Sequence, residues 1–166
     1  MKTLILYYSL SGRTKTVAKT LASKISSDLI EINDLKDRKG LKSKIFSSID
    51  AFRETKTKIA PARLDLEGYD LIYIGTPVWA GNPSPAVITA IDSFDFRRKD
   101  IILFATMRNS GGDAVIKRME EKIQARGARV INSFSLKTQN KNQSQLIGDT
   151  HEIIDLLDLE LYNKSF

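Results

Sequence analysis

Apolar runs of strand length alternate with helical patterns five times along this chain, and few folds accommodate such an alternation. After the first run, for example, Val17, Leu21 and Ile25 recur at three- and four-residue spacing. Alternating strands and helices are typical of a parallel sheet with right-handed crossovers. We therefore predict an α/β fold, a doubly wound five-stranded parallel sheet with helices on both faces, in which residues 1–166 form a single domain. The predicted strands are Thr3–Tyr8, Asp28–Asn33, Tyr69–Gly75, Asp100–Ala105 and Ala128–Leu136.

The segment of residues 34–65 carries the weakest pattern. Apolar residues at helical spacing predict a helix near residues 40–55, ended by Pro61. Its many lysines indicate a solvated helix face more than a docking patch. The final predicted helix holds the single histidine, His151, which we expect to be exposed or to cap a helix.

Composition excludes several kinds of site. The chain has no cysteine, which removes disulfides, thiolate chemistry and cysteine-ligated metals, and one histidine excludes a multi-histidine metal site. The net charge of +6 suggests an acidic partner or merely a basic surface. The basic residues are scattered and lack a recognition motif, so nucleic-acid binding is disfavoured. No run of transmembrane length and no signal-peptide pattern occurs, and we expect no membrane association and a cytoplasmic location.

The first predicted strand ends in a turn of hydroxyl residues around one glycine, and a helical pattern follows directly. A strand–turn–helix arrangement presents unpartnered backbone N–H groups at a helix N-terminus, where the helix dipole also favours an anion. Three hydroxyls, one arginine and no carboxylate favour a phosphate. The alternative is that Ser11 only caps the helix and Gly12 only makes the turn. The residues of this turn are Ser9, Leu10, Ser11, Gly12, Arg13 and Thr14.

Two further loops follow the third and fourth predicted strands. In open α/β sheets, ligands bind beyond the carboxyl ends of the strands. The three loops would converge there if the strand order is 2-1-3-4-5. The second loop is stiffened by prolines and carries the only tryptophan, which could instead be a core or proline-stacking residue. It contains Thr76, Pro77, Val78, Trp79, Ala80 and Gly81, and the third loop contains Thr106, Met107, Arg108, Asn109, Ser110, Gly111, Gly112 and Asp113.

Other users of this architecture lack their required residues here. A receiver domain needs an acidic pair after the first strand, and a low-molecular-weight tyrosine phosphatase needs a cysteine. Neither a Walker A loop nor a Gly-x-Gly-x-x-Gly dinucleotide turn occurs. A ligand with a terminal phosphate and a flat ring remains, and a flavin mononucleotide (FMN) is such a ligand. The cofactor would carry the chemistry, while the protein would supply binding and electrostatic tuning.

The Ser-x-Ser-Gly-x-Thr turn at Ser9–Thr14 resembles the phosphate loop of the flavodoxins. Gly75–Gly81 and Ser110–Gly112 extend this resemblance over nearly the whole chain. It implies a flavodoxin-like sheet of order 2-1-3-4-5 that binds FMN. The first loop would hold the phosphate, and the second would line the inner side of the ring, with Trp79 stacked on one face. The third, from Thr106 to Asp113, would approach the pyrimidine edge.

Two departures from the flavodoxin pattern bear on function. Many flavodoxins stack a tyrosine on the outer ring face from the loop after the fourth strand, but this loop has no aromatic residue, which leaves that face more open. Flavodoxins are usually acidic, whereas this chain is basic and has Arg108 in the pyrimidine-edge loop. We expect this arginine to make the reduced, anionic flavin easier to form.

Three functions stay open at this level. The resemblance favours an electron carrier that shuttles electrons between redox partner proteins, and the net charge of +6 suggests an acidic docking face on the partner. An open flavin face would suit an NAD(P)H-dependent reductase of quinones or other small acceptors. A third alternative is a ligand-binding module that has lost its flavin, although the intact phosphate loop argues against it.

Overall fold

The computed structural model of this protein describes residues 1–36 and 56–163, with side chains described as far as residue 158. The helix predicted near residues 40–55 lies outside the described residues. In the described part, eight strands and four helices follow one another. They are β1 (Thr3–Tyr7), α1 (Arg13–Ile25), β2 (Asp28–Glu31), β3 (Asn33–Asp34), β4 (Ile59–Ala60), β5 (Leu71–Trp79), β6 (Asn82–Pro83), α2 (Pro85–Ser93), β7 (Asp100–Met107), α3 (Gly112–Ala125), β8 (Arg129–Lys137) and α4 (Gln143–Asn163).

The five long strands form one parallel sheet in the order β2-β1-β5-β7-β8. Counted along the chain, this is the order 2-1-3-4-5, so the predicted fold class and order are confirmed. The register pairs Ile5 of β1 with Tyr73 of β5, and Tyr73 with Ile102 of β7. Because the strands are parallel, the loops that follow β1, β5, β7 and β8 leave the same edge of the sheet, which we call the rim.

Alternate residues of each strand face opposite sides of the sheet and enter two separate apolar layers. Leu4 and Leu6 belong to the layer that also contains apolar residues of α2 and α3. Ile5 lies in the other layer, with Val17 of α1 and Leu146 of α4. Helices therefore cover both faces, and the central strands, fully buried, position the rim loops from below.

Several boundaries differ from the predictions. The loop predicted from Thr76 is in part strand: β5 continues to Trp79, turns at Ala80 and Gly81, and pairs antiparallel with β6. Pro77 is tolerated in β5 because the pairing of β5 with β1 ends at Gly75, so one side of the strand is no longer flanked by β1 at this position. The fourth predicted strand likewise continues to Met107.

Two further predictions, for Pro61 and for His151, can be compared with the structure. Pro61 follows the short strand β4 through a cis peptide bond, so the residues directly before it form a strand and not the end of a helix. His151 is exposed on α4, as expected. None of the helices in the described part combines the length and apolar character that crossing a bilayer requires.

Candidate functional site

A cavity of about 500 Å³ opens at the rim, among the ends of β1, β5, β7 and β8. Part of each predicted loop lines it, so the expected convergence at one edge is present. We call it the rim cavity. Its lining comprises Ser11, Arg13, Thr14, Pro77, Val78, Trp79, Thr106, Arg108, Thr138, Gln139 and Asn140.

The N-terminus of α1 is open. Gly12 is the N-cap residue, and no side chain caps the helix. The first intrahelical bond runs from Thr16 N to Gly12 O at 3.0 Å, so the backbone N–H groups of residues 13–15 have no acceptor within the helix. Ser11 is exposed and makes no cap, so the alternative in which it only caps α1 is wrong. Ser9 accepts a bond from Gly12 N at 3.1 Å and thereby shapes the turn.

Gly12 is required by backbone conformation rather than by crowding. Its φ of 92° lies in the left-handed region, which side chains rarely adopt. A Cβ added there would meet no atom within 4 Å, so the turn presents open space on that side.

Thr14 occupies the cavity wall, but its hydroxyl faces a protein partner. The side chain is only 1% exposed, and its Oγ1 lies 2.8 Å from Oγ1 of Thr106 at the end of β7. This contact ties the first turn of α1 to the third loop. Of the predicted phosphate-binding groups, the backbone N–H of Thr14 is therefore more available than its hydroxyl.

Arg13 and Lys15 place positive charge at the α1 terminus. Arg13 is an exposed residue, and its guanidinium donates to the carbonyl oxygen of Thr138. Lys15 pairs with Glu31 at 2.7 Å and so balances the charge of this carboxylate.

Burial and the Glu31 carboxylate raise the pKa of Tyr7 at the end of β1 above its ordinary value, which keeps this phenol neutral. The described lining of the rim cavity holds two arginines and no carboxylate.

The β5–β6 hairpin supplies an aromatic wall. Trp79 is half-buried and lies edge-on to Tyr8, with ring centroids 5.5 Å apart and an angle of 88° between the planes. It thus packs on the core and also lines the cavity. Thr76, by contrast, is fully buried, and its Oγ1 accepts a bond from Ser84 N at 3.0 Å. This internal bond removes Thr76 from the cavity.

The predicted site residues divide among three cavities. Thr106 and Arg108 of the third loop line the rim cavity, whereas Asn109 and the residues after it line a separate, smaller cavity of about 270 Å³. Ala80 and Gly81 form the hairpin tip. The smaller cavity contains the predicted residues Met107, Asn109, Ser110, Gly111, Gly112 and Asp113, while Ser9, Leu10 and Gly12 line a third cavity beside Glu31.

The sequence prediction omitted one wall of the rim cavity. Thr138, Gln139 and Asn140 follow β8, the strand next to β7. The predicted site contains no residue that follows the fifth predicted strand, Ala128–Leu136. The signal was available, because the rule that ligands bind at the carboxyl ends of parallel strands applies to the fifth predicted strand as well.

Known proteins resemble this chain in sequence and fold. A flavoprotein of Lactobacillus acidophilus, crystallised in complex with FMN, matches with a TM-score of 0.70 and 31% identity, over 81% of this chain and 92% of that one. Oxidised Flavodoxin 1 of Bacillus cereus matches with a TM-score of 0.52 at 20% identity, over 93% and 98% of the two chains, and shows the fold alone. Among curated proteins, the flavodoxin-like domain-containing protein BilS of Clostridioides difficile is 27% identical, over 92% of this chain and 80% of BilS.

A family model described as Flavodoxin matches residues 2–145. This span runs from β1 into the start of α4 and includes every loop of the rim. The chain therefore belongs to the flavodoxin family.

Proposed function

We propose that this protein binds FMN in the rim cavity and transfers electrons between redox partners. One observation carries the proposal: a single cavity joins an uncapped helix N-terminus, lined by cationic and hydroxyl side chains, to a wall that contains tryptophan. A phosphate attached to an aromatic ring system needs both features within the length of one molecule.

The phosphate would lie at the start of α1. The backbone N–H groups of Arg13, Thr14 and Lys15 lack intrahelical acceptors, and the hydroxyl of Ser11 is exposed beside them. Helix N-termini bind anions because of these free donors and the helix dipole. No acidic residue occurs in the first turn of α1, so nothing on this turn opposes the anion.

The flavin ring would lie against the β5–β6 hairpin. Pro77, Val78 and Trp79 form the apolar part of the cavity wall, and the edge contact with Tyr8 holds the tryptophan in place. The cavity of about 500 Å³ is within the range of roughly 300–1,000 Å³ that small-molecule sites occupy. Bound FMN supplies reversible electron transfer at its ring. The chain itself grips the phosphate, orients the ring and excludes water from one face.

The visible absorption spectrum of the purified protein tests the proposal. We expect a flavin band that stays with the protein after FMN is added and excess is removed. A protein that remains colourless after this treatment would support a module without flavin and would contradict the proposal. Electron transfer is tested next, by reducing the bound flavin with dithionite and following its reoxidation by a one-electron acceptor.

A reductase of small acceptors is the second candidate, and the composition of the cavity wall favours it. Trp79 is the sole aromatic residue in the described lining, and the third loop offers no ring for the opposite flavin face. Such a face would be accessible to NAD(P)H and to a quinone. Multiple turnovers of NADPH with a quinone would support this enzyme, whereas a protein that reacts with NADPH slowly or not at all would support the carrier.

Charge complementarity is expected between this protein and its redox partner. With a net charge of +6, the protein would associate faster with a partner that has an acidic face. We expect electron transfer to an anionic acceptor such as ferricyanide to slow as salt is added, and transfer to a cationic cobalt complex to accelerate. Equal salt dependence for the two acceptors would argue against electrostatic docking.

A further inference from the structure

A cavity of about 570 Å³ lies on the β2 side of the turn between β1 and α1, whereas the rim cavity extends from this turn towards β5, β7 and β8. We call it the β2-side cavity. Its described lining combines the turn with the residues that end β2 and follow it. Ser11 lines both cavities, so the turn at the start of α1 separates two spaces. The proposed function uses only one of them.

Protein contacts hold the wall formed by Asp34 and Leu35 in place. The backbone N–H of Leu35 donates to the carbonyl oxygen of Lys58 at 2.9 Å. The Asp34 carboxylate accepts a bond from the hydroxyl of Thr57 at 2.8 Å and another from the backbone N–H of Lys36 at 3.0 Å. The segments around β3 and β4 therefore position this wall without a ligand.

The charges of the β2-side cavity balance, in contrast to those of the rim cavity. The described lining holds two lysines, Lys15 and Lys36, and two carboxylates, Glu31 and Asp34. Lys15 and Glu31 pair with each other at 2.7 Å. Because an anion would meet as many negative as positive groups there, the cavity suits an uncharged polar group better than a second phosphate.

Glu31 is placed to accept hydrogen bonds from sugar hydroxyls. It is the last residue of β2 and lies about 20 residues after Gly12. In dinucleotide-binding α/β folds, an acidic residue at that spacing accepts bonds from the ribose of adenosine. The turn of this chain lacks the three-glycine pattern, but a Cβ at Gly12 would meet no atom within 4 Å, so a ligand can pass close to the turn. The Glu31 carboxylate has acceptor sites beyond the one that Lys15 uses.

Leu35 offers an apolar contact at the same cavity. It is 62% exposed, and it is one of three large apolar residues that the described part of the chain leaves exposed. Leu10, which packs partly on the core, also lines the cavity. A neutral, flat base would cover apolar surface of both leucines, and the burial of such surface is favourable.

We propose that the β2-side cavity binds the adenosine end of flavin adenine dinucleotide (FAD). This inference rests on the proposed function. The flavin occupies the rim cavity, as in FMN, the pyrophosphate lies at the start of α1, and the ligand continues past Ser11 into the β2-side cavity. Glu31 accepts bonds from the ribose hydroxyls, and Leu10 and Leu35 contact the adenine. The protein then accepts either flavin nucleotide, and FAD occupies both cavities.

The test compares the Kd of FMN with that of FAD, both measured by isothermal titration of the full-length apoprotein. Leu35→Ser removes the apolar contact without adding a charge. Leu156→Ser is the matched control, because Leu156 is 61% exposed, almost as much as Leu35, and is absent from the described lining of both cavities. Glu31→Gln is the second variant. Because it also frees Lys15 beside the phosphate site, the ratio of the two Kd values is the quantity compared.

We expect FAD to bind the unmodified protein at least as tightly as FMN does. Leu35→Ser and Glu31→Gln should each raise the ratio of the Kd of FAD to the Kd of FMN by about three- to tenfold, the loss expected for one apolar contact or one hydrogen bond. The Leu156→Ser control should leave this ratio unchanged.

Nuclear magnetic resonance locates the adenosine independently of affinity. On the unmodified protein, the backbone amide resonances of residues 33 and 35 should shift more on addition of FAD than on addition of FMN. Those of residues 78 and 79, in the rim cavity wall, should shift by the same amount with both flavins.

Other results overturn the inference. If FAD binds more weakly than FMN, or shifts residues 33 and 35 no more than FMN does, the adenosine lies outside the β2-side cavity. An unchanged Kd ratio in both variants would exclude it from the cavity as well. In each of these cases FMN still binds, so the proposed function stands while the inference fails. If the unmodified protein binds neither flavin, the proposed function fails and the inference fails with it.

Discussion

The helix α1 follows the parallel strand β1, and the helix α2 follows the β5–β6 hairpin, yet the first turns of the two helices differ. At α2, the side chain of Ser84 accepts a bond from Val87 N at 3.4 Å, and Pro85 occupies the first turn, where its missing N–H leaves no donor to satisfy. Ser84 is completely buried. At α1, a glycine stands in the capping position and the donors remain free. A side chain closes the start of α2, whereas no side chain caps the start of α1.

The remaining helices sharpen this contrast. At α4, Asn142 and Gln145 exchange bonds between side chain and backbone at 2.8 and 2.9 Å, which is a reciprocal capping box. At α3, Gly111 repeats the uncapped, left-handed start with a φ of 95°, but Asp113 in its first turn disfavours an anion. The capping box of α4 supplies a side-chain cap for that helix. Among the four described helices, α1 alone therefore has neither a side-chain cap nor an acidic residue in its first turn. This comparison within the molecule supports the start of α1 as the proposed phosphate site.

The largest expected effect comes from placing a carboxylate at the open helix start. Ser11→Asp puts a negative charge beside the proposed phosphate site, and we expect FMN affinity to fall about a hundredfold or more, equivalent to ~3 kcal/mol at surface dielectric. The apoprotein should keep its stability or gain up to about 1 kcal/mol, because an acidic residue near a helix N-terminus is favourable. Isothermal titration and urea unfolding measure the two quantities.

Riboflavin is the matched control for this variant, since it has no phosphate to repel. The affinity of the Ser11→Asp variant for riboflavin should stay within about threefold of that of the unmodified protein, because an exposed charge without an ionic partner contributes less than ~1 kcal/mol. Equal losses of FMN and riboflavin would show that the substitution disturbs the cavity rather than a phosphate site.

The closed helix start predicts the opposite behaviour. Ser84→Ala removes the cap of α2 and a buried partner of Thr76, so we expect the free energy of unfolding to fall by about 2 kcal/mol. Ser11→Ala, at the open start, should change it by less than ~0.5 kcal/mol, as is usual for an exposed position. Urea unfolding of the two apoproteins makes the comparison, and similar losses for both serines would refute the distinction.

The hairpin before α2 provides the third test. Trp79→Leu keeps apolar volume but removes the aromatic platform, and we expect an affinity loss of about 1–2 kcal/mol, shared by FMN and riboflavin. Fluorescence of the bound flavin, which an indole quenches on stacking, should rise as well. A variant that binds flavins normally would return Trp79 to its alternative role as a core residue packed on Tyr8.

The smallest effect concerns Arg108, which lines the cavity from the loop after β7. A cation near the ring stabilises an anionic reduced flavin, and one charge at surface dielectric contributes on the order of 1 kcal/mol, or tens of millivolts. Arg108→Ala should therefore lower the second reduction potential by about that amount. Arg108→Lys, which retains the charge, is the control, and an unchanged potential in a redox titration of the alanine variant would reject the idea.

The fold and the outline of the site could be predicted because both depend on local patterns. The alternation of apolar runs with helical spacing determined the sheet, and the Ser9–Thr14 turn located the open helix start. Side-chain partners could not be predicted, because they join residues far apart in the chain. Thr14 meets Thr106, and Arg13 meets Thr138, only after the sheet has formed. The sequence pattern therefore indicated which loops form the site but not which groups in them remain free.

The two-residue turn at the tip of the β5–β6 hairpin has a consequence for the entropy of binding. Ala80 and Gly81 have positive φ values of 47° and 75°, as in the type I′ turns that match the twist of paired strands. Alanine is strained in that region by about 1–2 kcal/mol, so the fold maintains this turn against a local cost. The pairing of β5 with β6 and the edge contact between Tyr8 and Trp79 position the aromatic wall without a ligand, so little conformational freedom is left to lose when one binds. Replacing Ala80 with glycine would relieve the strain but would give the turn more conformational freedom, so this alanine contributes to the pre-organisation of the hairpin.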